Sequence, residues 1–271
     1  MSKIACIILQ RNMPQATKKI LDSVFSLNSN TTDFFVVESG SDEDQVIKDS
    51  RLSSVFHANW EEAKVGLRTG RGMNYGLLEV QKIKEYDYYM FCTGDCMFEE
   101  GSEFQRLISL FEQNSKLGIL SPVSLKWGQD LPKDRKLSLQ FLVPLVCYMF
   151  RKSALQDLIE GETYYDRLFD CKTNWRMYDV DTSKVIEGYK KDWAFGITNE
   201  IKIQEDEDLI YQNVLQSKTE DKATHRTLMY QEGLKWMKEK YGFNSKQDMR
   251  AWGRYEMEMF LQRNPEMREF V

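Results

Sequence analysis

The sequence predicts an α/β protein: a mostly parallel sheet flanked by helices, with a helical C-terminal extension. Three observations carry this. Short apolar runs alternate with amphipathic segments as βαβαβαβαβ up to about Pro122. The runs are continuous rather than alternating, as expected of strands covered on both faces. Beyond about Leu209 the strand-like runs stop and helical spacing takes over.

Taken in order, "KIACIIL" (Lys3 to Leu9) is the first strand. "MPQATKKILDSVFSL" follows as a helix with Ile20, Leu21, Val24 and Leu27 at helical spacing, and Pro14 where a first turn tolerates it. "DFFVVE" is the second strand, "EDQVIKDS" a short helix capped by Ser41 or Asp42, and "LSSVFH" the third strand. "GRGMNYGLLEVQKIKEY" starts in a glycine-rich turn and becomes a helix. "DYYMFC" is the fourth strand, ending at Thr93-Gly94-Asp95. "SEFQRLISLFEQN" is an amphipathic helix and "LGILSP" the fifth strand. The order βαβαβ predicts parallel, helix-covered strands. In the second half, "LQFLVPLVCYMFR" reads as an extended pair or one long strand and "KSALQDLIE" as a short helix. "VDTSKVIEGY" is a helix closed by Gly188, and "WAFGITNEIKIQ" is a strand. The expected division is residues 1–205 as a catalytic domain (1–122 and 123–205 as its halves) and 206–271 as the helical extension.

Composition narrows the function classes. The 271 residues are 42% hydrophobic and 29% charged, with a net charge of −5. No basic block points to nucleic acid. The longest apolar stretch, "FLVPLVCYMF", is too short to span a membrane and contains Pro144, so no integral membrane segment is expected. Five irregularly spaced cysteines make neither a disulfide framework nor a zinc pattern, which fits a reducing, cytoplasmic setting.

Ligands of open α/β sheets bind beyond the carboxyl ends of the strands. Polar groups gather there: Gln10-Arg11-Asn12 after the first strand, Glu38-Ser39-Gly40-Ser41 after the second, and Thr93-Gly94-Asp95 after the fourth. Glu38 can accept hydrogen bonds from a ribose or a base, or serve its own turn. The glycines of "GRGMNYG" let the backbone approach a ligand, and Arg71 can pair with a phosphate. That segment is neither GxGxxG nor GK[ST], which counts against dinucleotide and P-loop readings. Asp95 is either a turn acid or a ligand for a divalent cation. Asp179 and Asp181 open a helix; either the dipole explains them, or one takes the proton of an acceptor hydroxyl.

The order of these elements resembles the GT-A glycosyltransferases, of the family 2 type. The resemblance rests on the tip Gln10-Arg11-Asn12, on Val37-Glu38-Ser39-Gly40-Ser41-Asp42, and on Gly70-Arg71-Gly72-Met73-Asn74-Tyr75-Gly76. It continues in the DxD-like Thr93-Gly94-Asp95 and in Tyr178-Asp179-Val180-Asp181 before Gly188-Tyr189, over about the first 200 residues. It implies a hexosyltransferase-like enzyme that moves a sugar from a nucleotide-diphosphate sugar to an acceptor hydroxyl, inverting and metal-assisted. It assigns the donor nucleotide to Gln10, Asn12, Glu38, Ser39, Arg68, Arg71, Asn74, Thr93 and Gly94. Mn²⁺ or Mg²⁺ falls to Asp95, the catalytic base to Asp179, and the acceptor to Trp127, Trp175 and Asp181, with Trp193 as a further stacking candidate. The sequence departs from the family at Thr93, where a first acid would stand, and at Tyr178, where a glutamate would. No histidine follows Gly188-Tyr189 at the family's spacing, which leaves Glu205 or His225 as substitutes. Two other readings stay open: a non-catalytic nucleotide-binding or assembly protein with a decayed site, and a sugar-phosphate nucleotidyltransferase. The second lacks the glycine-rich loop it would need after the first strand. Met249, Trp252, Tyr255, Met259 and Phe260 form a stripe that either packs on the catalytic domain, makes a homo-oligomer contact or docks on a membrane surface.

Overall fold

The structure is a computed structural model; it describes residues 3–58, 67–94, 96–99, 102–124, 135–142, 146–205 and 222–271. Its centre is a nine-stranded sheet. The strands are β1 (Ile4–Gln10), β2 (Thr32–Glu38), β3 (Ser54–His57), β4 (Tyr88–Thr93), β5 (Cys96–Phe98), β6 (Leu117–Ser124), β7 (Leu137–Leu139), β8 (Cys147–Arg151) and β9 (Ala194–Glu205). The order across the sheet is β3-β2-β1-β4-β8-β6-β9-β5, with β7 also on β9. Strands β1, β2, β3, β4, β6 and β9 run one way; β5, β7 and β8 run the other.

β1, β2, β4 and β6 are almost wholly buried, so their apolar runs show no polar alternation. Helix α1 (Pro14–Asn28) begins with Pro14 in its first turn. Together with α3 (Glu103–Gln113) it covers one face, where Phe25, Phe34 and Phe104 pack in sequence with ring centroids 5.6 and 6.2 Å apart. Helix α2 (Arg68–Ile83) covers the other face over β1 and β2. Its Gly76 lies so close to the sheet that a Cβ would stand 2.6 Å from Ile7 Cγ2 and 2.8 Å from Val37 Cγ2. Helix α5 (Val180–Lys190) continues that layer over Tyr148 and Phe150, after the short helix α4 (Lys152–Leu158).

Helices α6 (Lys222–Tyr241) and α7 (Lys246–Arg263) stack outside α5. Tyr189 and Phe260 join α5 to α7 with centroids 5.3 Å apart. A partly buried charge cluster joins α5 to α6. Lys184 Nζ lies 2.8 Å from Glu160 and 2.7 Å from Glu187; Lys240 lies 3.1 Å from Glu160; the Tyr241 hydroxyl donates to Glu187 at 2.7 Å. Of the C-terminal stripe, Met249 and Phe260 are buried against the body, whereas Tyr255 is 61% exposed.

Several expectations are corrected. β8 inserts between β4 and β6 and is antiparallel to both, so the fifth predicted strand is parallel to the fourth without being its neighbour. "EDQVIKDS" forms only a 3-10 turn, Glu43–Gln45, because the segment turns back to hydrogen-bond Glu38. The glycines of "GRGMNYG" are inside α2 rather than in a turn before it. Gly188 is inside α5, which runs on to Lys190. Of the "LQFLVPLVCYMFR" stretch, Cys147–Arg151 forms β8, while its first residue, Leu139, ends β7 on a different partner. Helical structure expected from Leu209 falls outside the described residues until Lys222.

Candidate functional site

The carboxyl ends of β1 and β2 meet the start of α2, and a web of buried hydrogen bonds fixes them. Glu38 Oε1 accepts from Gln10 Nε2 at 2.8 Å and from the Ile47 N–H at 2.8 Å, and its Oε2 accepts from the Ser41 hydroxyl. Asn12 Nδ2 donates to Asp42 at 3.0 Å, and its Oδ1 accepts the Asp42 N–H at 2.7 Å. The Ser39 hydroxyl accepts the Leu67 N–H at 2.7 Å, which ties the β2 tip to the entry of α2. Gln10, Asn12, Glu38 and Ser39 are therefore buried and interlocked, and they build the floor of the rim. Three of the roughly four acceptor positions on Glu38 are taken, two by its own turn and one by Gln10 of β1.

The cations stand differently from expectation. Arg71 is only 2% exposed. Its guanidinium is sandwiched between the rings of Tyr165 and Trp175, 4.6 and 4.0 Å from their centroids, and donates to Cys171 O. It orders the segment carrying Trp175 instead of presenting a charge to the rim. Arg11 and Arg68 are the pair at the rim. Burial, together with the charge of Arg68, lowers the Arg11 guanidinium from its ordinary value, while Asp42 acts the other way. Arg11 stands in the tip that the sequence singles out, yet was given no role of its own.

Asn74, expected at the donor nucleotide, has its side-chain amide bonded to protein backbone. Its amide donates to Tyr164 O and Phe169 O, at 3.0 and 2.7 Å, and accepts the N–H groups of Leu168 and Phe169, at 2.9 and 3.0 Å. Both donors and both lone pairs are used, so the residue staples α2 to the 164–169 loop. The glycines belong to the same packing: a Cβ on Gly70 would lie 2.3 Å from Cys171 Sγ and 2.7 Å from Met177 Sδ.

That close approach brings the 171–179 segment onto the first turn of α2. Asn174, a residue sequence reasoning passed over, clamps the segment by bonding the Tyr178 carbonyl and N–H at 3.0 and 3.1 Å. Asp179 is the N-cap of α5 in the left-handed region, φ 58°, and is 9% exposed. Its Oδ1 lies 3.2 Å from Lys246 Nζ, while its Oδ2 is shut from solvent and accepts no hydrogen bond. Asp181, two residues on, is buried, and burial followed by the neighbouring Asp179 charge pushes its carboxyl up to about 7. Positive φ at non-glycine residues clusters here, at Asn12, Arg68, Met177 and Asp179; among the described residues only Asp192 lies elsewhere. Backbone strain of this kind concentrates at functional sites.

The remaining candidates divide. Trp175 is 37% exposed beside Arg71. Trp193 precedes β9 and so lies at the opposite edge of the sheet, where its indole donates to Asp157 at 2.8 Å. Thr93 spends its hydroxyl on Val146 O, and Gly94 faces Leu9 O so closely that a Cβ would be 2.5 Å away. Asp95 and Trp127 lie outside the described residues, as does the side chain of Glu205. His225 is on α6. Among the described residues no three His, Cys, Asp or Glu side chains stand together as metal ligands. Their five cysteines are buried and form no disulfide. No helix among them is long and apolar enough to cross a membrane.

Neither a protein-family model nor any curated protein sequence matches this chain. Solved structures do. Residues 1–349 of TarS from S. aureus align over 96% of this chain and 80% of theirs, with a TM-score of 0.54 at 10% identity. The glucosyl-3-phosphoglycerate synthase of Mycobacterium tuberculosis, solved with Mn²⁺, UDP and phosphoglyceric acid, aligns over 87% and 78%, with a TM-score of 0.53 at 12% identity. The mannosyltransferase PcManGT of Pyrobaculum calidifontis, solved with GDP-Man and Mn²⁺, aligns over 100% and 76%, with a TM-score of 0.55 at 8% identity. The chain has the GT-A fold found in these glycosyltransferases.

Proposed function

We propose that the protein is a glycosyltransferase that moves a sugar from a nucleotide-diphosphate sugar to an acceptor hydroxyl, with inversion. The observation that carries this reading is Asp179: a carboxylate with one oxygen held and the other sheltered and unbonded, beside the strand tips where α/β sheets bind ligands. Arg11 and Arg68 offer positive charge for the diphosphate. Trp175 offers an aromatic face for the acceptor.

The reaction follows from these positions. The acceptor oxygen attacks the anomeric carbon as the bond from that carbon to the diphosphate oxygen breaks. The electron pair leaves with the nucleoside diphosphate, and the hydroxyl proton passes to the Asp179 carboxylate. The arginines stabilise charge building on the leaving group. One displacement inverts the centre and needs no covalent intermediate. A divalent ion, such as the Mn²⁺ in two of the similar structures, would be held by Asp95 and would add positive charge for the diphosphate; no step depends on it.

A second reading, binding without turnover, draws on one observation: Lys246 already occupies Oδ1 of Asp179. A thermal-shift panel of UDP-, GDP-, CMP- and dTDP-sugars, with and without Mn²⁺, tests donor binding. Stabilisation by at least one of them is expected, and stabilisation by none refutes both readings. Transfer that disappears in Asp179→Asn while donor stabilisation persists separates catalysis from binding.

A further inference from the structure

Lys246 is the first residue of α7, where the helix macrodipole favours acids and opposes a lysine. The helix start is otherwise orthodox: Ser245 and Asp248 form a capping box, bonding each other's backbone N–H groups. A cation at this position needs a reason beyond helix stability. The structure supplies two partners: Lys246 Nζ lies 3.2 Å from Asp179 Oδ1 and 4.8 Å from the centre of the Tyr178 ring. Tyr178 is itself pinned from above by α6, where Gly233 is so close that a Cβ would stand 2.4 Å from Tyr178 Cδ1.

We infer that Lys246 is a positioning residue for Asp179: its ammonium holds Oδ1 and fixes the orientation of the carboxylate. The inference rests on the reading of Asp179 as the base. It makes the start of α7 part of the active site, so the C-terminal helices take part in transfer rather than only packing on the sheet.

The charge around the site gives Lys246 a second duty. Asp181 stands beside Asp179 and raises the negative charge in a buried space. Facing the pair is Lys246 of α7; within reach of the Asp181 charge lie Tyr148 of β8 and Cys171. Of these, Lys246 opposes the proton uptake that burial imposes on Asp181.

The test compares wild type with Lys246→Met and Lys246→Arg. Lys246→Met should lower kcat by about 10- to 100-fold, the scale of a misplaced catalytic group, with donor KM nearly unchanged. The acid limb of its kcat profile should move to higher pH, and Lys246→Arg should restore both. Carboxyl ¹³C NMR gives a readout that needs no turnover: the Asp181 midpoint should rise in Lys246→Met and return in Lys246→Arg. A kcat and acid limb that stay put in Lys246→Met overturn the inference, as does an unmoved Asp181 midpoint. Absence of transfer in the wild type would count against the glycosyltransferase reading alone, leaving the NMR arm to decide whether Lys246 governs the charge of the pair.

Discussion

Replacing Asn74 by alanine removes the partners of four backbone groups at once: the N–H groups of Leu168 and Phe169 and the carbonyls of Tyr164 and Phe169. Asn74, Leu168 and Phe169 are buried, and Tyr164 is half-buried. Each buried group left unpaired costs about 1–3 kcal/mol, and carbonyls, with a second lone pair, tolerate this better than N–H groups. Counting chiefly the two N–H groups gives about 3–4 kcal/mol. Alanine recovers up to about 0.7 kcal/mol through its better helix propensity. The net loss is about 3 kcal/mol. At an m of about 3 kcal/mol per molar, the urea midpoint falls by about 1 M. Equilibrium urea unfolding followed by tryptophan fluorescence measures this directly. A midpoint shift under about 0.3 M, equivalent to less than about 1 kcal/mol at that m, refutes the staple. Such a small shift accompanied by lost nucleotide-sugar binding would return Asn74 to the ligand side.

Three further outcomes follow from the same geometry. Asp181 titrates near 7 when folded and near 3.8 when unfolded, so its contribution to stability is full below about pH 4 and is lost as pH rises through about 7. Asp181→Asn should flatten that part of the stability profile, and an unchanged slope between pH 4 and 8 would contradict the burial argument. Glu160 is pushed up by its burial, but Lys184 and Lys240 outweigh that and bring it down to about 2, so its contribution is present above about pH 4.5 and fades as pH falls through about 2. Glu160→Gln should lose stability at neutral pH and differ little from wild type near pH 2, as read by thermal melts across that range. Gly70→Ala should force Cys171 and Met177 away from α2 and weaken nucleotide-sugar binding, despite alanine's better helix propensity; unchanged affinity by calorimetry would show that the 171–179 segment does not depend on this contact.

The first half of the fold was legible because burial leaves a local trace. Runs such as Ile4 to Leu9 and Phe34 to Val37 are apolar without interruption, and the helices between them carry a single apolar face. The insertion of β8 between β4 and β6 was not legible, since pairing between distant segments leaves no periodicity in either. β5 is too short, at Cys96–Phe98, to give a pattern. The glycines of α2 mimic a loop in sequence; in space they let the helix lie against Ile7, Val37, Cys171 and Met177, an approach that outweighs their poor helix propensity. At the site, the strand-tip polar residues could be picked out, but not which face the ligand and which bind one another. The internal partners of Arg71 and Asn74 lie about 90 to 100 residues further along the chain, and no local pattern reveals them. The contact of Lys246 with Asp179 joins two helices far apart in the chain, and nothing local announces it.

The central claim is that the tips of β1 and β2, the start of α2 and the 171–179 segment form one nucleotide-sugar site. Hydrogen–deuterium exchange with and without a stabilising nucleotide sugar tests it most directly. Added protection is expected only at residues 10–12, 38–42, 67–71 and 171–179; a one-site reading fails if these segments are unchanged and protection appears instead at the amino ends of the strands, around Asp157 and Trp193.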